Sequence, residues 1–186
     1  LMSLNVDQHL ATGEDPGPGH DILTGRYACY DTYQASDGKW LSVGAIEPHF
    51  YANLCKAIGC ERWLEHQLDD AVQDQIRADF RAAFAKRTRD EWVADLSPND
   101  TCVAPVYTMP EIVADAHLQG RGAFCEARHP ENPSFRQLAP ALAGMKQPDG
   151  PIDARVDSET DTDDLLREAG LSAEEIEALR ADGVVA

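Results

Sequence analysis

Positive charge is what this sequence has least of. Sixteen Lys and Arg stand against 33 Asp and Glu, a net charge of −17 over 186 residues. A field of that sign repels phosphate backbones and anionic lipid surfaces, so neither nucleic acid nor a membrane is an expected partner. Long apolar runs are missing too. No stretch approaches the ~20 residues that span a bilayer, and no basic segment followed by an apolar one opens the chain. The five cysteines (Cys29, Cys55, Cys60, Cys102, Cys125) are odd in number and lack Cys-x-x-Cys spacing. That fits buried thiols in a reducing compartment better than a disulfide framework, and the expected location is cytoplasmic. There is no Gly-x-Gly-x-x-Gly, no Walker loop, no Gly-x-Ser-x-Gly and no His-Glu-x-x-His, so no self-contained catalytic or phosphate-binding motif is present.

What is present is material for a core. Hydrophobic residues make up 43% of the chain, and at roughly 100–200 residues per domain the length corresponds to one domain or two small ones. The acid is concentrated at the end. From Asp149 to Ala186 there are 12 acids and three Arg, so this tail carries −9 and the first 148 residues −8. A solvated C-terminal region accounts for that composition. The chain opens at Leu1, inside an amphipathic segment, and is expected to be a piece of something longer.

Residues 1–11 read as the end of a helix, followed by a Pro/Gly linker from Thr12 to Gly19. Arg26 to Gln34 and Lys39 to Val43 read as strands joined through Ser36-Asp37-Gly38, a strong hairpin signal because Gly accepts positive φ. Pro48 suits the first turn of a helix, Phe50, Leu54, Ala57 and Ile58 fall on one face, and Gly59 is a natural stop. A second helix carries Val72, Ile76, Phe80 and Phe84. Thr88 to Glu91 is a capping box for a third, with Trp92, Val93 and Leu96. Cys102 to Val106 reads as a short buried strand. Helical turns follow near Ile112 and over Asp115 to Gly120, then a strand pair over Ala123 to Arg128 and Phe135 to Leu138. Pro140, Pro148 and Pro151 mark an irregular stretch before two short helices, Thr162 to Ala169 and one capped at Ser172. The mix is α+β, with antiparallel hairpins and several helices and no β-α-β alternation, so a parallel nucleotide-binding sheet is not expected.

The most informative stretch is Val43-Gly44-Ala45-Ile46-Glu47-Pro48-His49-Phe50-Tyr51. A strand ends, glycine lets the backbone turn, and a carboxylate stands before a helix N-terminus. Glu47 there serves either as a cap, favoured by the positive end of the helix dipole, or as an acid that orients an imidazole or binds a substrate hydroxyl. His49 reads as solvent-facing or helix-packed. His117 and His129 have no partner at ligand spacing, so no metal is expected. Tyr27, Tyr30 and Tyr33 are explained by hairpin packing at least as well as by ligand stacking. Trp40, Trp63 and Trp92 read as core or interface anchors.

These residues also carry a resemblance. Gly25 to Tyr33, Ser36 to Tyr51, the strand Asp100-Thr101-Cys102-Val103-Ala104-Pro105-Val106 and the closing segment Asp161 to Val185 resemble, in order and spacing, the family III CoA-transferase superfamily (CaiB/BaiF). Ile46-Glu47-Pro48 is most like its α-methylacyl-CoA racemase branch, whereas the transferases tend to have a polar Asn-Asp type of sequence there. The resemblance implies that the chain corresponds to a C-terminal half: a linker helix and linker (residues 1–24), a small α+β domain (25–139) and an acidic segment returning to a large domain (140–186). It implies that Glu47 reaches the other half's active site and hydrogen-bonds its catalytic histidine, with Ile46, Pro48 and Tyr51 touching substrate. It further implies an acyl-CoA thioester as substrate, an N-terminal large domain of the same protein as partner, an interlocked homodimer, and no cofactor beyond the CoA of the thioester itself.

Three functions remain open on these grounds. One is epimerisation of the α-carbon of 2-methylacyl-CoA thioesters by proton removal and return on opposite faces, which needs two bases and a stabilised enolate oxygen. Another is CoA transfer between carboxylic acids through an acyl–aspartate intermediate. The third is a non-catalytic module that grips a separate CoA-binding subunit. The chain alone is expected to be inactive in the first two cases, because the family's His and Asp bases match nothing in it.

Overall fold

The computed structural model describes residues 3–15, 17–140, 142, 144–156 and 160–185. Leu1, Met2 and Pro16 of the expected helix and linker lie outside them. The chain forms two compact units, Leu1–Thr108 and Met109–Ala186.

In the first unit, helix α1 (Ser3–Thr12) buries none of its side chains. A three-stranded antiparallel sheet follows, built from β1 (Tyr30–Gln34), β2 (Trp40–Gly44) and β3 (Val103–Val106) in that spatial order. Gly38 takes φ +78° at the hairpin, as the Asp-Gly pair predicts. The first strand starts later than its Tyr/Thr content predicts, because Tyr27 to Tyr30 makes a turn in which the Tyr30 N–H donates to the Tyr27 carbonyl at 3.0 Å. The Cys102–Val106 strand was expected to be buried and is an edge strand instead. Val103 points inward while Ala104 and Val106 are exposed, and an edge is where Pro105 is tolerated.

Three helices cover one face of this sheet: α2 (Pro48–Ile58), α3 (Gln73–Phe84) and α4 (Arg89–Leu96). The buried stripe of α2 is Tyr51, Leu54, Cys55 and Ile58. Ala57, assigned to that stripe by periodicity, is exposed and Phe50 is half-buried. The stripe is turned because Tyr51 stacks on Phe80 of α3, with ring centroids 6.2 Å apart. The expected faces of α3 and α4 hold at Ile76, Phe80, Phe84, Trp92 and Leu96, which are buried, whereas Val72 falls in the turn before α3 and Val93 is half-buried. Phe84 sits between Tyr33 at 5.1 Å and Trp92 at 5.6 Å, so the sheet and two helices share one aromatic cluster.

The second unit carries α5 (Met109–Ala114), α6 (Ala116–Gly120), β4 (Phe124–Arg128), β5 (Phe135–Leu138), β6 (Ile152–Asp153), α7 (Thr162–Glu168) and α8 (Ala173–Ala181). β4 and β5 pair antiparallel, and β6 adds to β4 in parallel. The stretch around Pro151 thus supplies a strand where irregular chain was expected, because two residues are too short to show a period. The division into compact units falls after Thr108, just past the end of the first sheet, and β6 ties residues 152–153 to the β4–β5 pair. Helix α8 opens on a capping box between Ser172 and Glu175, and Arg167 and Arg180 both pair with Asp163 of α7.

Candidate active site at the β2–α2 junction

The junction is built by a short run of backbone bonds. The Gly44 N–H donates to the Cys102 carbonyl at 2.9 Å, and the Ala45 N–H to the Cys29 carbonyl at 2.9 Å. The Ile46 N–H then closes back on the Gly44 carbonyl at 2.9 Å. That two-residue closure, a γ-turn centred on Ala45, turns the chain. Gly44 is not the hinge: its φ is not positive, and a Cβ placed on it meets the Cys102 carbonyl and the Tyr30 ring at 3.9 Å, ordinary contact. Glu47 follows as the N-cap residue of α2, with Pro48 at the first helical position.

Of the two roles open to Glu47, capping is not the one it performs. Its side chain makes no cap hydrogen bond, and it is exposed. An unspent carboxylate therefore stands at the positive end of an 11-residue helix. Its charge reaches Cys102, whose thiol is pushed up by partial desolvation, by Glu47 and by Asp100. Cys102 and Asp100 hold left-handed backbone at φ +50° and +48°, a conformation that costs a non-glycine residue about 1–3 kcal/mol. Between them Thr101 is fully buried and donates its hydroxyl to the Leu96 carbonyl at 2.8 Å.

Beside the junction lies an open cavity of about 530 Å³, lined on the sheet side by Tyr30, Thr32, Ser42, Gly44 and Cys102. Its Thr24–Asp31 wall is braced by Arg77, which donates to Asp31 at 2.8 Å and to the carbonyls of Gly25 and Arg26 at 2.7 and 3.1 Å. This pair is largely shielded from solvent, where geometry of that kind holds a loop firmly.

The other expected site residues divide. Ile46 is half-buried and Pro48 exposed, both next to Glu47. Tyr51 is not available to a substrate in the role assigned to it. It is 1% exposed, and its hydroxyl donates to the Trp63 carbonyl at 3.1 Å, so it belongs to the core beneath the junction. His49 is exposed and packs on Phe50 at 3.9 Å between ring centroids. Among the described residues no group of three His, Cys, Asp or Glu is arranged to hold a metal, and no helix is long and apolar enough to cross a membrane.

Two residues at the site carry no sequence signal. Gln67 donates to the carbonyls of Ala45 and Ile46 at 3.1 and 2.6 Å. Gln73, 1% exposed, accepts from the Ala28 N–H at 3.0 Å and reaches the Gln67 carbonyl at 3.1 Å. Gln67 lies in no periodic run or motif, Gln73 is a polar residue within the run of α3, and only the folded chain brings them to the junction.

The sequence pattern of CoA-transferase family III matches residues 1–153. The chain is 38% identical over 172 residues to the α-methylacyl-CoA racemase of Mus musculus, covering 90% of this chain and 43% of that protein. It is 32% identical over 183 residues to the α-methylacyl-CoA racemase of Homo sapiens, covering 96% and 46% respectively. Among solved structures it is similar in fold to a CaiB/BaiF family protein from Brucella suis, with a TM-score of 0.57 and 18% identity over 91% of this chain and 44% of that one. The chain thus spans less than half the length of the curated relatives it matches.

Proposed function

This chain belongs to CoA-transferase family III, and from that premise we propose that it serves an acyl-CoA racemase that inverts the α-carbon of 2-methylacyl-CoA thioesters. The observation that carries this reading is the uncapped, exposed carboxylate of Glu47 at the head of α2. It stands in the Ile-Glu-Pro setting of the racemase branch, in a chain 38% identical to a curated racemase.

In this reading the histidine and aspartate bases and most of the CoA-binding surface come from an N-terminal large domain, within an interlocked homodimer. Glu47 accepts a hydrogen bond from the histidine's second nitrogen. That contact fixes the tautomer and raises the basicity of the nitrogen that takes the α-proton. The thioester oxygen gathers charge as the proton leaves and is stabilised by donors of the large domain. Proton return from the opposite face completes the inversion. The cavity beside Tyr30 and Ser42 receives the acyl side of the thioester, and Ile46 and Pro48, which flank Glu47 in the chain, contact the substrate. The reaction places the protein in the metabolism of branched acyl chains, and it calls on no redox step.

The test is incorporation of solvent deuterium at the α-carbon of a 2-methylacyl-CoA by the assembly of this chain with the N-terminal half. Glu47→Gln is expected to slow incorporation roughly 10²-fold, the lower range for losing acid–base assistance. Wild-type exchange in that variant would overturn the role of Glu47. Transfer of CoA to a free carboxylate with no deuterium gain identifies a transferase instead. Neither activity in the assembly leaves the non-catalytic module.

A further inference from the structure

The structure assigns Gln67 as a positioning residue for Glu47, with Gln73 positioning Gln67 in turn. The inference rests on the reading of Glu47 as the orienting acid, and goes beyond it by naming what sets the direction of that carboxylate.

The side chain of Glu47 makes no cap bond, so its backbone is what aims it. Both torsions of that backbone are held. On the C-terminal side, Pro48 excludes helical backbone at the residue before it, and Glu47 is extended at φ −69° and ψ 137°. On the N-terminal side, the Ile46 carbonyl belongs to the peptide plane that carries the Glu47 nitrogen. Gln67 grips that carbonyl at 2.6 Å and the Ala45 carbonyl before it at 3.1 Å. One amide nitrogen thus serves the carbonyls of the last two residues of the γ-turn, while the Gly44 carbonyl takes the Ile46 N–H.

The backbone of Gln67 is itself held by Gln73. Gln73 opens α3 and is almost fully buried. Its oxygen accepts from the Ala28 N–H, and its nitrogen faces the carbonyls of Asp69, Gln67 and His66 at 2.9, 3.1 and 3.3 Å. Exchanging oxygen and nitrogen would set a donor against a donor at Ala28 and an acceptor against three acceptors, so the orientation is forced. The Ala45 N–H, bonded to the Cys29 carbonyl, closes the circuit one residue from Ala28. The relay thus runs from the Gln73 amide at the head of α3 to the backbone of Gln67, and from the Gln67 side-chain amide to the peptide plane in front of Glu47.

The test has two readouts. In this chain, Gln67→Met keeps the side-chain length and removes both donors. Amide exchange at Ile46 and Tyr51, whose acceptors are the Gly44 and Glu47 carbonyls, is expected to quicken severalfold, while Tyr33 and Leu41 in the sheet stay protected. Unchanged exchange at Ile46 overturns the relay whatever the reaction is. In the assembled enzyme, Gln67→Met is expected to lower kcat for deuterium incorporation roughly tenfold or more, the scale of a misplaced group, with KM held. Combined with Glu47→Gln it is expected to slow the reaction no further than Glu47→Gln alone, and Gln67→Lys, which returns a donor to the same carbonyls, is expected to recover part of the rate. Additive losses in the double variant would mean that Gln67 only stabilises the loop, and would sink the assignment. Full activity of Glu47→Gln alone is the separate failure of the reading of Glu47 as the orienting acid.

Discussion

The two units of this chain are held together by different means. The first buries a continuous cluster of 20 apolar side chains, from Ala28 to Val103. Among the described residues of the second, Ala127, Ala139 and Ile176 are the buried apolar side chains. Leu138, Leu142, Leu165 and Val184 there are more than half exposed. The first unit is thus a core with a sheet and helices around it, and the Glu47 junction is anchored in that core. The second depends on local devices: a capping box at Ser172, a short pairing of β6 on β4, and Arg–Asp contacts on α7 and α8. Local devices define helices, but each contributes only about 0.3–1.5 kcal/mol. The contrast explains why the catalytic candidate lies in the first unit: a carboxylate can be aimed only from a backbone that does not move.

The largest expected effect is alkaline unfolding of the first unit. Burial pushes the Cys55 thiol up to about 12 from an ordinary 9, and it raises Cys29, Cys60, Tyr33 and Tyr51 as well. In the unfolded chain these groups ionise near their ordinary values. Between pH 9 and 12 the folded chain therefore holds more protons, and its stability falls as pH rises. All three tryptophans (Trp40, Trp63, Trp92) lie in this unit, so their fluorescence during a titration from pH 8 to 12 follows it alone. An unchanged urea midpoint across that range would show that the core does not rest on neutral thiols and phenols.

A smaller step separates the units by substitution. Phe84→Ala removes the centre of the aromatic cluster and is expected to cost about 3–5 kcal/mol. Leu138→Ala, at a side chain 71% exposed, is expected to change stability by no more than about 0.5 kcal/mol. Urea unfolding followed by circular dichroism compares the two, and equal costs would break the contrast. The smallest effect belongs to the second unit's own device. Ser172→Ala is expected to cost about 1 kcal/mol of α8 stability, read as faster amide exchange at Glu175 and Ile176 with the first unit's sheet unaffected.

Much of this was legible in the sequence where a single residue type forces a local geometry. Asp37-Gly38 announced the hairpin, Pro48 and Gly59 bounded α2, and Thr88–Glu91 and Ser172–Glu175 capped their helices. The position of Glu47 at a strand-to-helix junction was legible for the same reason. What was not legible depends on partners distant in the chain. The buried face of α2 is decided by Phe80, which turns Tyr51 inward and takes it out of the site. The role of Glu47 as an uncapped acid is a property of the turn before it, and that turn is clamped by Gln67, from a stretch with no period. β6 is two residues long, and its existence depends on β4.

The third strand carries a consequence in time as well as in space. β1 and β2 meet through a tight turn, and such hairpins close in about 1–10 μs. β3 meets β2 only after the chain has gone out through α2, α3 and α4, and the Ser42–Ala104 contact joins residues 62 apart in sequence. Closing that excursion is a late event, since its entropy cost is met only once the helices have docked. Glu47 is made with the early hairpin, while Cys102 and its side of the cavity arrive with the strand that closes last. The pocket is therefore expected to be completed only when this strand docks.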